Sequence, residues 1–253
     1  PFRVKPRPLI IAERTNVNGS QAFRQLLLKE DFEGMMEIAR EQQKEGAHLT
    51  DVALATPGRE EAADWKIFMP KLNLQLEIPV MIDSSNTSAL EVALKNYGGK
   101  VIINSINLED GGKRAQETID LGREFGAAVV ALTIDENGLA RTAEEKLRVA
   151  SRLYDLLVNK NNFKPADIFF DPLTLSLASG DRHYADAGRE TLEAIRLLKE
   201  KFPQSQTILG ISNISYGLPA ELRPYINSIF LSLALEAGLD AAIIHHSKIM
   251  PLQ

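Results

Sequence analysis

The sequence predicts a single α/β domain of the (β/α)8 (TIM) barrel type. Three observations predict it. Eight short runs rich in Val, Ile, Leu and Ala recur along the 253 residues. Amphipathic patterns separate them at about the 30-residue spacing of a βαβ unit. No Pro/Ser/Gly-rich linker or low-complexity segment divides the chain. An open, doubly wound sheet is the competitor. It wants a glycine-rich phosphate turn after its first strand, and Ala12-Glu13-Arg14-Thr15-Asn16 is not one.

In chain order the expected strands are residues 9–13, 48–53, 79–83, 100–105, 127–134, 167–171, 207–212 and 241–246. Several are near-continuous apolar runs, Val-Ile-Ile in the fourth and Val-Val-Ala-Leu in the fifth, as expected of parallel strands buried on both faces. Between them, Leu147, Ala150, Leu153, Tyr154 and Leu157 fall on one helical face, and Leu192, Ile195, Leu198 and Phe202 on another. Gly46, Gly126 and Gly238 each stand between a helical pattern and a strand, where a helix C-cap glycine belongs. After the eighth strand only residues 247–253 remain, so no closing helix is expected, and the chain begins at Pro1 rather than Met. Residues 1–253 are therefore expected to form one barrel module of a longer polypeptide.

Composition narrows the function. The chain is 44% hydrophobic and 25% charged with both signs mixed, which excludes disorder. No apolar run approaches the roughly 18 residues of a membrane span, and no signal segment is seen, so a cytoplasmic protein without a membrane partner is expected. Zero Cys removes disulfides, thiolate metal sites and Cys nucleophiles together. A net charge of −5 without a basic tract argues against nucleic acid.

In a (β/α)8 barrel the chemistry lies at the C-terminal ends of the strands. Here those ends read Glu13, Arg14 and Asn16; Asp51; Asp83; Asn104; Asp135 and Glu136; Asp171; Ser212 and Asn213; His245 and His246. No Lys closes a strand, which disfavours a Schiff-base aldolase. No His-x-His closes the first, and no Gly-x-Ser-x-Gly elbow is present. Carboxylates that accept and carboxamides that both donate and accept suit an amide-rich heterocycle with an alternating donor–acceptor edge, a pterin being the natural candidate. Each residue also has a plainer reading. Asp83 and Asn104 are placed to cap the next helix, Asn213 to form an Asx turn, and Asp135-Glu136-Asn137-Gly138 to make a loop turn. Arg14 is placed to pair with a nearby carboxylate. His245-His246 reads as a satisfied pair rather than a metal site, for want of a third ligand. No metal site is expected.

Glu13-Arg14-Thr15-Asn16, Met81-Ile82-Asp83-Ser84-Ser85, Ile103-Asn104-Ser105-Ile106, Phe170-Asp171-Pro172 and Gly210-Ile211-Ser212-Asn213-Ile214-Ser215 follow one another in register. In these motifs the chain resembles the pterin-binding methyltransferase family. That family comprises the folate domain of cobalamin-dependent methionine synthase and the methyltetrahydrofolate:corrinoid methyltransferases. The resemblance runs from about Leu9 to Pro251. It implies a methyltransferase that binds 5-methyltetrahydrofolate and passes its N5-methyl group to the cob(I)alamin of a corrinoid domain or protein.

By the same resemblance Asp83, Asn104 and Asp171 hydrogen-bond the pterin edge, and Gly210 and Ser212 shape the floor beside it. Asn213 lies near N5, where it stabilises the protonated nitrogen, and Asp83 helps to deliver the proton. Glu13, Asp135 and Arg223 are carried as further substrate-binding residues around the mouth. Two positions depart from the family's pattern: Ala12 where Gly is frequent and Ala53 where Asn is frequent. The alternatives are a dihydropteroate synthase, suggested by Ala55-Thr56-Pro57-Gly58, and a non-catalytic folate-binding module. The synthase carries a Lys after its seventh strand, where this chain has Ser212-Asn213-Ile214.

Overall fold

Parallel strands with both faces buried leave edges that must be covered or joined, and here they are joined. The computed structural model describes residues 2–179 and 186–250. Eight parallel strands close one barrel: β1 (Leu9–Ala12), β2 (Leu49–Val52), β3 (Val80–Asp83), β4 (Ile102–Ile106), β5 (Ala128–Leu132), β8 (Ile168–Asp171), β9 (Gln206–Gly210) and β10 (Ala241–Ile244). Closure is made by β1, which pairs with β2 on one side and β10 on the other. A small antiparallel hairpin, β6 (Ile134–Asp135) and β7 (Gly138–Leu139), stands outside the barrel after β5.

Eight α-helices surround the strands among the described residues. They are α1 (Gln21–Leu28), α2 (Phe32–Lys44), α3 (Glu61–Gln75), α4 (Thr87–Lys95), α5 (Lys113–Glu124), α6 (Ala143–Tyr154), α7 (Ala187–Lys201) and α8 (Arg223–Ala237). Two of them follow β1, whereas β10 is followed, among the described residues, only by the short turn His246–Lys248. The final residues 251–253 of the predicted tail lie outside the described residues. Gly46, Gly126 and Gly238 have φ of +97°, +66° and +109°, the left-handed conformation in which a helix hands over to a strand.

The expected fifth strand, residues 127–134, is shorter than its apolar run. It ends at Leu132, and Ile134 enters the hairpin instead. The cause is local. Asn137 N–H donates to the Asp135 carboxylate at 2.9 Å, and Gly138 takes φ +95°, so the Asp-Glu-Asn-Gly segment reverses the chain. The seventh strand likewise stops at Gly210, and Ser212 and Asn213 belong to a 3-10 turn, Ile211–Ser215.

Strand alternation sorts the apolar residues into two layers. Leu9, Ile11, Leu49, Met81, Ile102, Ala128, Val130, Phe169, Ile208 and Ala241 point inward and fill the barrel. Phe2 packs beneath them with its ring 6.2 Å from that of Phe169, plugging the N-terminal end. The alternate residues, such as Val80, Ile82, Ile168, Phe170 and Leu209, point outward against the helices. No helix of the described residues is long and apolar enough to cross a membrane.

Candidate functional site

The same alternation builds the site. Two residues beyond the last inward apolar position of each strand (Ile11, Leu49, Met81, Ile102, Val130, Phe169, Ile208 and Ile243) stand Glu13, Asp51, Asp83, Asn104, Leu132, Asp171, Gly210 and His245. Pairing holds Asp83 level with Asn104 and Leu132 level with Asp171, while Asp51 pairs with Met81 and so lies one layer lower. A polar ring with one apolar member thus caps the hydrophobic filling at the C-terminal mouth.

The densest part of the ring lies over β1–β4. Asn16 Nδ2 donates to both Asp51 Oδ2 and Asp83 Oδ2, each at 2.9 Å, and Asn104 Nδ2 reaches Asp51 Oδ1 at 3.4 Å. Asn16 is held by a buried network. Thr15 and Thr50 hydroxyls lie 2.6 Å apart, Thr15 donates to the Asp51 carbonyl, and Gln42 of α2 accepts from the Arg14 N–H while donating to both threonines. Burial raises the pKa of Asp51 and of Asp83; the charge of Asp51 raises that of Asp83 further, and the charge of Glu13 that of Asp51. Asn16 opposes this by favouring the ionised forms. The strand-end reading included Asn16 and Asp51 without singling them out as site residues, although the period that selected Asp83 selects Asp51 too. Ala53 bridges to the Asn16 backbone, so a carboxamide enters this quarter of the mouth from the β1 loop.

Across the barrel Asp171 is buried, and that burial pushes its carboxyl up to about 7 against the pull of Lys146. Asp171 Oδ1 accepts from Leu173 N–H at 2.7 Å, making an Asx turn in which Leu173 has φ +60°. Such a backbone is unfavourable for a branched side chain and persists only where neighbours hold it. Lys146 and Thr191 hold it. The Lys146 ammonium donates to the carbonyls of Pro172 and Leu173 and to Thr191 Oγ1, which itself donates to the Leu173 carbonyl. Burial lowers the Lys146 pKa to about 8. Sequence reading missed Lys146, yet a signal existed: it interrupts the apolar stripe Ala143, Val149, Ala150, Leu153 on α6. Lys146→Met keeps the volume and removes the donors. It is expected to cost about 2 kcal/mol in stability and to weaken ligand binding at Asp171, as thermal melts and calorimetry on one sample will show.

On the third side Glu13 is half-buried and its pKa is raised by desolvation, against the Ser212 hydroxyl, which donates to it at 2.8 Å, and the charges of Arg223 and Lys248. Arg223 lies at the start of α8 with Nε on Ser215 Oγ at 3.2 Å. Asn213 is exposed on the turn, and among the described residues no hydrogen bond engages its side chain. A Cβ added to Gly210 would stand 2.9 Å from Asn213 Nδ2. Gly210→Ala therefore displaces the Asn213 carboxamide while leaving the strand intact. Turnover is expected to fall at least tenfold, a loss of about 1.4 kcal/mol, with little change in melting temperature. Loss of folding would instead assign Gly210 a purely structural part.

Asp135 is not gathered with these residues. It turns outward to α6, its Oδ2 3.0 Å from Arg148 and 3.1 Å from Arg152, so the hairpin anchor outweighs any contact at the mouth. Arg14 pairs with Glu45 at 2.8 Å and Glu41 at 3.5 Å on α2. His245 accepts or donates at Nδ1 to Ser247, 3.1 Å away. Among the described residues no group of three His, Cys, Asp or Glu side chains is arranged for a metal.

A closed (β/α)8 barrel with inward carboxylates and carboxamides capping an apolar filling is an enzyme scaffold suited to a flat, hydrogen-bonding heterocycle. The profile of pterin binding enzymes matches residues 12–245. The chain belongs to the pterin binding enzyme family. It is 44% identical over 255 residues to the methionine synthases of Mycobacterium tuberculosis and Mycobacterium leprae, all of this chain being matched to about a fifth (21%) of their length. Among solved structures it resembles dihydropteroate synthase from Xanthomonas albilineans in complex with 7,8-dihydropteroate, with TM-score 0.66 and 16% identity over 95% of this chain and 88% of that one. Dihydropteroate synthase from Coxiella burnetii in complex with pteroic acid gives TM-score 0.64 and 12% identity over 96% and 89%. At such identity these two likenesses concern the fold alone.

Proposed function

We propose that this chain binds 5-methyltetrahydrofolate at the barrel mouth and transfers its N5-methyl group to cob(I)alamin carried on another domain or protein. The observation that carries the reading is the polar ring, with Asp51 and Asp171 buried and Asp83 half-buried, and beside it an Asn213 carboxamide without a partner among the described residues. The similarity of the whole chain to a fifth of the mycobacterial methionine synthases supports it. Asp83, Asn104 and Asp171 take the N–H groups and ring nitrogens of the pterin, and Leu132 gives its face an apolar seat. The methyl group leaves from an amine nitrogen and the bonding pair stays on N5, so N5 must gain a proton before or as the bond breaks, or it would depart as an anion. Asn213 accepts a hydrogen bond from the protonated nitrogen. A carboxamide does not titrate, so the proton comes from elsewhere. The store we assign is the Asp51–Asp83 pair, whose protonated forms are favoured by burial and, at Asp83, by the charge of Asp51.

Low-valent cobalt supplies a strong nucleophile when the corrinoid is present. This chain, with no Cys and no Lys closing a strand, needs only to bind, orient and protonate. The dihydropteroate synthase reading is disfavoured by Ser212-Asn213-Ile214, which offers no Lys beside the pterin. The test is anaerobic mixing of the protein with 5-methyltetrahydrofolate and cob(I)alamin. Loss of the cob(I)alamin band that depends on both protein and folate supports the reading. A flat trace, together with condensation of pterin pyrophosphate with 4-aminobenzoate, overturns it in favour of the synthase.

A further inference from the structure

Beside the pterin ring, between the ends of β9, β10 and β1, a cavity of about 200 Å³ is lined by Glu13, Ser212, Arg223, Asn227, His245 and Lys248. Pterin recognition explains none of three features there. Neither Arg223 nor Lys248 has an ion-pair partner within 4.0 Å among the described residues. Glu13 is the acid both act on, so one positive charge is left over. The helix α8 starts at Arg223 with no side-chain cap, which leaves its first-turn N–H groups and dipole favourable to an anion. Asn227 is only 9% exposed, and its Oδ1 has no partner. An unpaired polar group so deeply buried is costly and calls for a ligand that can satisfy it.

One occupant matches all three. We infer that this cavity holds the glutamate tail of the folate, its carboxylates against Arg223, Lys248 and the start of α8, and its amide against the Asn227 carboxamide. A carboxamide both accepts and donates, as an amide N–H with an adjoining carboxylate requires. His245 is held toward its neutral form by burial and the nearby Lys248 and Arg14 charges, and so adds a hydrogen-bonding wall rather than charge. This inference rests on the methyltetrahydrofolate reading and adds to it: the barrel recognises the substrate at two points, a pterin ring and an anionic tail.

The experiment is anaerobic calorimetry with three ligands: 5-methyltetrahydrofolate, its triglutamate, and 5,6-dimethyltetrahydropterin, which lacks the tail. The folates are expected to bind about tenfold or more tightly than the tail-less pterin, the worth of one charge-assisted hydrogen bond, with the advantage shrinking as salt rises. Lys248→Gln and Asn227→Ser should each remove much of the advantage and bind the tail-less pterin as the unaltered chain does. Equal binding of tailed and tail-less ligands overturns the inference alone, and so does an advantage that survives both substitutions. Failure of every pterin to bind overturns the functional reading, and this inference with it.

Discussion

Asn213→Ala is expected to slow methyl transfer about a hundredfold, the lower range for acid–base assistance, while the affinity for 5-methyltetrahydrofolate changes far less. The split follows from where the side chain stands. Asn213 is exposed on the 3-10 turn after β9 and has no hydrogen-bond partner among the described residues. Its removal therefore breaks nothing in the fold and takes away only what it gives to N5. On the proposed mechanism that hydrogen bond exists only once N5 has taken its proton on the way to the transition state, so kcat should fall and KM stay near its starting value. Single-turnover mixing with cob(I)alamin measures the chemical step directly. An unchanged rate would remove Asn213 from the mechanism.

Asp83→Asn should have two opposite effects, both large. Ligand affinity is expected to fall about a hundredfold or more, because a carboxylate that accepts from pterin N–H groups becomes a group that also donates, leaving buried polar atoms facing one another. The free protein should become more stable by about 1–2 kcal/mol near neutral pH. The sign follows from the direction of the shift. Burial first, and the charge of Asp51 second, raise the Asp83 pKa above its unfolded value, so the folded chain prefers the protonated form. Raising the pH from the ordinary carboxylate range near 4 toward 7 ionises the group against that preference and drains stability. Asn cannot ionise, so the variant's melting temperature should be flatter across that window. A parallel pH dependence in the two proteins would show that Asp83 is not strained in the free barrel.

The two substitutions mark which parts of the site could be read in advance. Period-two alternation alone places Asp83, Asn104 and Asp171 above Met81, Ile102 and Phe169, and the same rule reaches Asp51, Gly210 and His245. Those positions follow from strand geometry and were legible. Asp135 also closes an apolar run, but it is out of phase with Val130 and Leu132, and the Asp-Glu-Asn-Gly turn takes it out of the barrel. Its partners Arg148 and Arg152 lie 13 and 17 residues further on, and nothing local announces them. Lys146 is the reverse case. Its place in an apolar helical stripe was visible, but the Pro172 and Leu173 carbonyls it serves belong to a loop that only the closed barrel brings near. The Asn16 bridge is likewise tertiary: a carboxamide from the β1 loop meets carboxylates 35 and 67 residues away.

The Phe2–Phe169 contact at the N-terminal end has a kinetic consequence. With that end stoppered and the strands packed against helices all round, the pocket is a blind cup, and everything that enters or leaves uses the same doorway. In the proposed reaction, an acceptor seated over the mouth to collect a methyl group would also bar the spent folate from leaving. Departure of the folate must then wait for the acceptor to lift away, and a large excess of acceptor should trap product and slow steady-state turnover while leaving the first turnover fast.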